Sequence, residues 1–401
     1  MIIKYGDGVT MTINPVNDSR LSSIEFLKRI LKNNAYKYTN CFSYHIYDSE
    51  PNGIYNNWFK KKLNEHRDLF RDEGGFINLS VSEFGITTYD NRISEKDKAE
   101  RIVKQYILLD EYNIINSFLY NFRDTGNNIN KRENNFGIVS YDFKVKPAYY
   151  SIKKYYENTN GAEYIGTIDL ADGLEAHVYN KDGKPKIITW ATDLDANIDI
   201  PHSDFDAKDL YGNEIENTNG TLTVTTSPVY LDNVENKYYY QAISNMAIEK
   251  YQEFNEKFGS ELEGLSNIQE NIKNQITYMQ NLGKIETGIL ENDAINAMKK
   301  HFDIGTQLID LYKQGTLNIE YVKLSSMLDM LNDIGNSYED LVTISVKLED
   351  VDLQKTYNAI QEVEKLIEDN QDIQFVYPEK IIQFSKDYYN EAEYINSLEE
   401  E

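Results

Sequence analysis

FINLSVSEFGITTYD, residues Phe76–Asp90, is the stretch on which the reading of the chain turns. Phe76, Ile77, Leu79 and Val81 read as a short buried strand that runs into a carboxylate, Glu83, followed at once by Phe84 and Gly85. Burying an ionised carboxylate costs several kcal/mol, so an acid closing an apolar run needs a reason. The C-terminal ends of strands in α/β folds are where active sites collect. A plain strand-end acid facing solvent is the alternative, and the neighbouring segments bear on the choice.

Moving outward, strand and helix signals alternate. Residues 2–13 read as one strand. Leu21, Ile24, Phe26, Leu27, Ile30 and Leu31 recur at helical spacing, with Ser22 or Ser23 as N-cap. Cys41–Tyr47 is a second strand, and Trp58 to about Glu73 a helix closed by Gly74-Gly75. After the Glu83 strand come a helix from Glu95 to Asn113, a strand from Ile114 to Phe122 and a helix from Ala148 to Tyr156. Such alternation predicts a parallel sheet with crossover helices.

Past residue 160 the pattern changes. Short β runs at Tyr164–Leu170, Leu174–Tyr179, Lys186–Ala191, Ala196–Ile200, Thr221–Thr226 and Tyr238–Ile243 are split by turn residues, and Asp182-Gly183 is a hairpin signal. These predict a small antiparallel β-sandwich. From residue 246 the pattern is amphipathic helix, over Ala247–Leu282, Ile289–Tyr312, Glu320–Ile334, Tyr338–Leu348, Leu353–Glu368 and Glu379–Leu398. A helical bundle is the expectation there. The fold class is thus α/β, then all-β, then all-α, with domains over residues 1–158, 159–245 and 246–401.

Charge supports the last boundary. The net charge is −25, and residues 246–401 hold 31 acids against 13 bases, about −18 of it. So acidic a chain is a poor partner for nucleic acid or an anionic membrane. No run of about 20 apolar residues marks a membrane span. A single cysteine, Cys41, excludes an internal disulfide framework, and no Cys/His cluster has structural-zinc spacing. Nothing implies a metal or a cofactor. The first residues, MIIKYGDGVTMTINP, do not have the form of a signal peptide.

The strand ends of the first region carry the chemistry. One delivers Tyr44, His45, Tyr47 and Asp48; the next Ser82 and Glu83; the last Tyr120, Asn121, Phe122, Arg123 and Asp124. In a parallel barrel these ends converge on one face. A carboxylate, an imidazole, an arginine and several rings suit sugar chemistry, because rings stack on pyranose faces and polar groups bond hydroxyls. Singly, each has a bland reading: a hydrogen-bonded structural His45, core rings at Tyr120 and Phe122, a local Arg123–Asp124 ion pair.

The block from His45 to Tyr150 resembles the second half of a clan A glycoside hydrolase barrel, closest to the xylosidase/iduronidase-like family and related bacterial exopolysaccharide hydrolases. The matching residues are His45-Ile46-Tyr47, Val81-Ser82-Glu83-Phe84-Gly85, Leu119 to Gly126, Asn135-Phe136-Gly137-Ile138-Val139 and Lys146-Pro147-Ala148-Tyr149. The likeness continues through Asp209-Leu210-Tyr211-Gly212-Asn213 and Ser227-Pro228-Val229-Tyr230-Leu231. It implies a partial (β/α)8 barrel of about four βα units, an oligosaccharide or polysaccharide substrate, and a secreted or cell-surface parent family. It also implies Glu83 as the nucleophile of a retaining mechanism, its partner carboxyl about 5–5.5 Å away. Tyr44 or Tyr47 would orient Glu83, and His45 would border the sugar subsite. Tyr120 and Phe122 stand where the family often has tryptophan.

The acid/base of the resemblance, a Glu after Asn at an earlier strand end, has no counterpart. Asn64-Glu65 and Asn390-Glu391 fall in expected helices and Asn213-Glu214 in the sandwich, while Glu50-Pro51 lacks the preceding Asn. A full barrel takes about 250 residues, against about 155 before the sandwich, so the sequence reads as starting partway through one. Weak or absent turnover of unactivated polysaccharide by this chain alone is the expectation. The rival reading is a non-catalytic carbohydrate-binding or interaction scaffold, with a protein partner on the acidic bundle.

Overall fold

The computed structural model describes residues 2–5, 8–13, 23–33, 35, 39, 41–47, 58–73, 78–201, 205–216, 220–286, 288–289 and 291–344. Asp48, Glu50-Pro51, Gly74-Gly75 and the helices expected over Leu353–Glu368 and Glu379–Leu398 lie outside the described residues.

In chain order the elements of the first part are β1 (Ile2–Tyr5), β2 (Gly8–Ile13), α1 (Ser23–Lys32), β3 (Cys41–Tyr47), α2 (Trp58–Glu73), β4 (Asn78–Gly85), α3 (Glu95–Glu111), β5 (Ser117–Leu119) and α4 (Pro147–Thr159). The single strand expected over residues 2–13 is two, paired antiparallel with Ile2 opposite Met11. From β2 onward the pairing is parallel, β2 with β3, β3 with β4 and β4 with β5, in the order β1-β2-β3-β4-β5. Parallel neighbours need crossovers, which α1, α2 and α3 supply.

Helix α3 starts where its sequence directs. Ser94 accepts from the Asp97 N–H and the Asp97 side chain answers the Ser94 N–H, a complete capping box. Its apolar face (Ile102, Val103, Ile107, Leu109) is buried with Tyr44, Ile46, Val81 and Phe84 of the strands, Phe59 and Leu63 of α2, and Ala148, Ile152 and Tyr155 of α4. Each fully buried aliphatic or phenyl group contributes about 1.5–3 kcal/mol, which fixes this face of the sheet against its helices. A second cluster, Leu27, Leu31, Phe42 and Phe70, closes α1 and α2 over the same face.

The next strands are β6 (Glu163–Thr167), β7 (Leu174–Lys181), β8 (Lys184–Ala191), β9 (Ile198–Pro201), β10 (Asp206–Lys208), β11 (Thr221–Val224) and β12 (Val229–Asp232). Strands β10, β12, β8 and β7 form an antiparallel sheet in that order, and β9 pairs with β11. Asp182 and Gly183 both take positive φ, 55° and 75°, as a two-residue type I′ hairpin requires. Asp110 ties this sheet to the helices. Its Oδ2 accepts from Tyr155 of α4 at 2.5 Å and Tyr179 of β7 at 2.8 Å, while burial pushes its pKa up.

The chain divides into two compact units: residues 1–164 with 168–234, and residues 165–167 with 235–401. In the second, α5 (Lys237–Phe258), α6 (Ser266–Leu282), α7 (Glu291–Lys313) and α8 (Tyr321–Ile344) each pack on two others, closing the ring α5-α6-α7-α8-α5. Tyr238–Ile243, expected as a strand, is the first turns of α5. The segment 247–282 is two helices, and the two expected over 320–348 are one. Inside the ring, one polar chain joins all four helices. Tyr338 donates to Gln275 at 2.6 Å, Tyr251 lies 3.2 Å from Tyr338 and 2.6 Å from His301 Nδ1, and His301 Nε2 meets the Leu331 carbonyl at 2.9 Å. No helix among the described residues is long and apolar enough to cross a membrane.

Candidate functional site

Strand parity places the residues of β3. Phe42, Tyr44 and Ile46 face the helices, leaving Ser43, His45 and Tyr47 on the other face. On β4, simple alternation would send Glu83 to the same side as Val81, into the helix-covered core. The pairing register prevents this. Tyr44 opposes Val81 but His45 opposes Glu83, so Ser82 is an extra residue and the strand carries a β-bulge. A bulge re-aims the side chains that follow it. Phe84 therefore takes the core face, fully buried, and Glu83 turns to the face of His45 and Tyr47.

There the Tyr47 hydroxyl donates to Glu83 Oε2 at 2.5 Å, and His45 Nδ1 lies 3.3 Å from the same oxygen. The Glu83 side chain keeps 39% of its surface open. Burial lowers the pKa of His45 and outweighs the pull of Glu83, which favours a neutral imidazole at neutral pH. Burial, then the hydrogen bond to Glu83, raises that of Tyr47, so the phenol keeps its proton and remains a donor.

The tyrosine that bonds the carboxylate belongs to a cluster of three rings. Tyr47 lies edge-on to Tyr120 at 6.2 Å and to Phe136 at 5.6 Å, and these two are 5.3 Å apart. The Arg132 guanidinium lies over Phe136 at 5.4 Å and Tyr47 at 5.9 Å. Tyr120 is brought in by its N–H, which donates to the Phe84 carbonyl at 2.7 Å. That approach needs a glycine at the end of β4, because a Cβ on Gly85 would stand 2.1 Å from the Tyr120 carbonyl oxygen. The Tyr120–Asn121 peptide is cis. In the sequence, Asn135-Phe136-Gly137 counted only among the residues that carry the resemblance, with no role for Phe136.

Other expected residues do not join this group. Tyr44 is buried on the helix side, stacked on His66 at 4.2 Å, so of the two tyrosines expected beside Glu83 it is Tyr47 that hydrogen-bonds it. Phe122 is 62% exposed. Arg123 donates twice to the Tyr141 carbonyl and lies over the rings of Phe143 at 4.0 Å and Tyr141 at 4.7 Å. Asp124 is buried. One oxygen accepts from the Gly137 N–H at 2.7 Å and the other meets Lys146 at 2.7 Å. The expected Arg123–Asp124 pair is replaced by these separate contacts.

One group in the same unit has metal-ligand character: Glu111, Glu175 and His177 offer atoms within 4.8 Å of one another. Lys60 lies 2.6 Å from Glu111, and His177 Nε2 is 3.3 Å from Glu175.

No family model matches the chain, and no curated protein matches it. Solved structures similar to it include a family 39 glycoside hydrolase from the gut symbiont Bacteroides cellulosilyticus, at 18% identity over 52% of this chain and 47% of that one, with a TM-score of 0.42. A family 51 α-L-arabinofuranosidase from Bifidobacterium longum is similar at 11% identity over 56% and 58%, with a TM-score of 0.37. A family 86 β-porphyranase from Bacteroides plebeius is similar at 14% identity over 52% and 44%, with a TM-score of 0.36. The chain spans about half the length of each.

Proposed function

We propose that the first unit carries the nucleophile half of a retaining O-glycoside hydrolase acting on an oligosaccharide or polysaccharide, with β2 to β5 as consecutive strands of a (β/α)8 barrel. One observation supports this above the others: a β-bulge turns Glu83 out of the core, onto a phenol donor and an imidazole. In this reading Glu83 attacks the anomeric carbon as the bond to the leaving oxygen breaks, giving a glycosyl-enzyme that water then hydrolyses. Tyr47 holds the attacking carboxylate in place, and the partly exposed Tyr120 ring, backed by buried Phe136, offers a face to the sugar. The acid that protonates the leaving oxygen is left unassigned among the described residues. The acidic helices as a protein-docking surface remain a proposal supported by their charge.

The test uses dinitrophenyl glycosides, whose leaving group needs no protonation. Turnover by the wild type, its loss in Glu83→Ala and its rescue by azide with a glycosyl azide of inverted configuration are the expected results. Turnover unaffected by Glu83→Ala would refute the assignment.

A further inference from the structure

Phe136 arrives on an irregular segment, and that segment is gripped from beneath by a buried cation. The Lys98 side chain of α3 is fully buried, and its Nζ meets the carbonyls of Asn135 at 3.3 Å, Phe136 at 2.8 Å and Gly137 at 2.8 Å. Three acceptors match the three N–H groups of an ammonium, whereas a neutral amine has two. The same segment is held by the Gly137 N–H on Asp124, and a Cβ on Gly137 would lie 2.1 Å from the Asp124 nitrogen. A methionine would fill the volume but leave the Phe136 and Gly137 carbonyls without this donor.

We propose that Lys98 is a positioning residue for the Glu83 site, holding the 135–137 backbone so that Phe136 packs on Tyr47 and keeps the Tyr47 hydroxyl on Glu83. The inference rests on the reading of Glu83 as the reacting group. The groups facing Lys98 are Glu95 on its own helix, Lys146 at the start of α4 and Asp124 beyond β5. Burial, opposed by Glu95 and aided by Lys146, brings its pKa down to about 7. The grip is thus present in acid and released as the pH rises through neutrality.

The test compares the full-length wild type with Lys98→Met, both carrying isotope-labelled tyrosine and lysine. In the folded variant the Tyr47 ring resonance is expected to move. Covalent labelling of Glu83 by a dinitrophenyl fluoro-glycoside should slow about tenfold or more, since a misplacement near 1 Å costs up to about a hundredfold. The wild-type labelling rate should also fall as the Lys98 resonance titrates, a dependence absent from the variant. An unmoved Tyr47 resonance with an unchanged pH profile overturns the proposal. If Lys98→Met does not fold, the wild type carries the test: Tyr47 must shift with the midpoint of Lys98 itself, and a flat Tyr47 signal overturns it. Failure of the wild type to be labelled at all would remove the glycosidase reading, and the resonances would then decide the role of Lys98 alone.

Discussion

Replacing Tyr47 with phenylalanine removes a single oxygen from beside Glu83. The lost contact is a 2.5 Å hydrogen bond to a carboxylate, and hydrogen bonds to charged groups contribute about 1.5–3 kcal/mol. Because 39% of the Glu83 side chain is open, water replaces part of that bond, and the lower end, about 1.5 kcal/mol, applies. In rate this is roughly tenfold. The ring contacts with Tyr120 and Phe136 survive in the phenylalanine, so thermal unfolding should stay near that of the wild type. The assay is the release of dinitrophenolate as a fluoro-glycoside modifies the enzyme, followed as a first-order burst. A burst roughly tenfold slower in a normally folded variant is expected. An equal or faster burst would refute the claim that Tyr47 orients the nucleophile.

Three further expectations concern stability. Gly85→Ala places a methyl 2.1 Å from a backbone oxygen that cannot swing away, and overpacking of this kind costs about 1–3 kcal/mol, to be read from urea unfolding. Tyr155→Phe removes one of two donors from buried Asp110 and should cost about 1–2 kcal/mol in the same assay. His301 is buried, with its pKa lowered to about 4 by burial. The unfolded chain binds a proton at this position below about pH 6.5, so stability from the neutral imidazole is present above that pH and lost as it falls toward 4, by about 3 kcal/mol in all. Unfolding at pH 7 and pH 4.5 should show the loss in the wild type and a smaller one in His301→Gln.

The strand-and-helix order of the first unit was readable because its signals are local. The apolar stretch Leu79–Val81, the capping box at Ser94 and the Asp182-Gly183 turn each act within a few residues. What escaped reading depends on pairing. The bulge at Ser82, which decides the side to which Glu83 points, is a property of the register between β3 and β4 and leaves no mark in either strand. The choice between Tyr44 and Tyr47 was within reach, since residues 45 and 47 of a strand share a face and residue 44 does not. Phe136 joins Tyr47 across 89 residues of chain, and nothing near either announces it. Tyr238–Ile243 misled through the β propensity of its tyrosines. The buried positions Tyr240, Ile243, Ala247, Tyr251, Phe254 and Phe258 follow helical spacing, and packing of that stripe overrides the local preference.

The most direct measurement is peptide mass analysis of the full-length chain after reaction with a panel of dinitrophenyl fluoro-glycosides. A single glycosyl adduct on Glu83, in the peptide that carries Val81-Ser82-Glu83-Phe84-Gly85 and missing from Glu83→Gln, is the result predicted. An adduct on any other carboxylate, with Glu83 unmodified, would contradict the account.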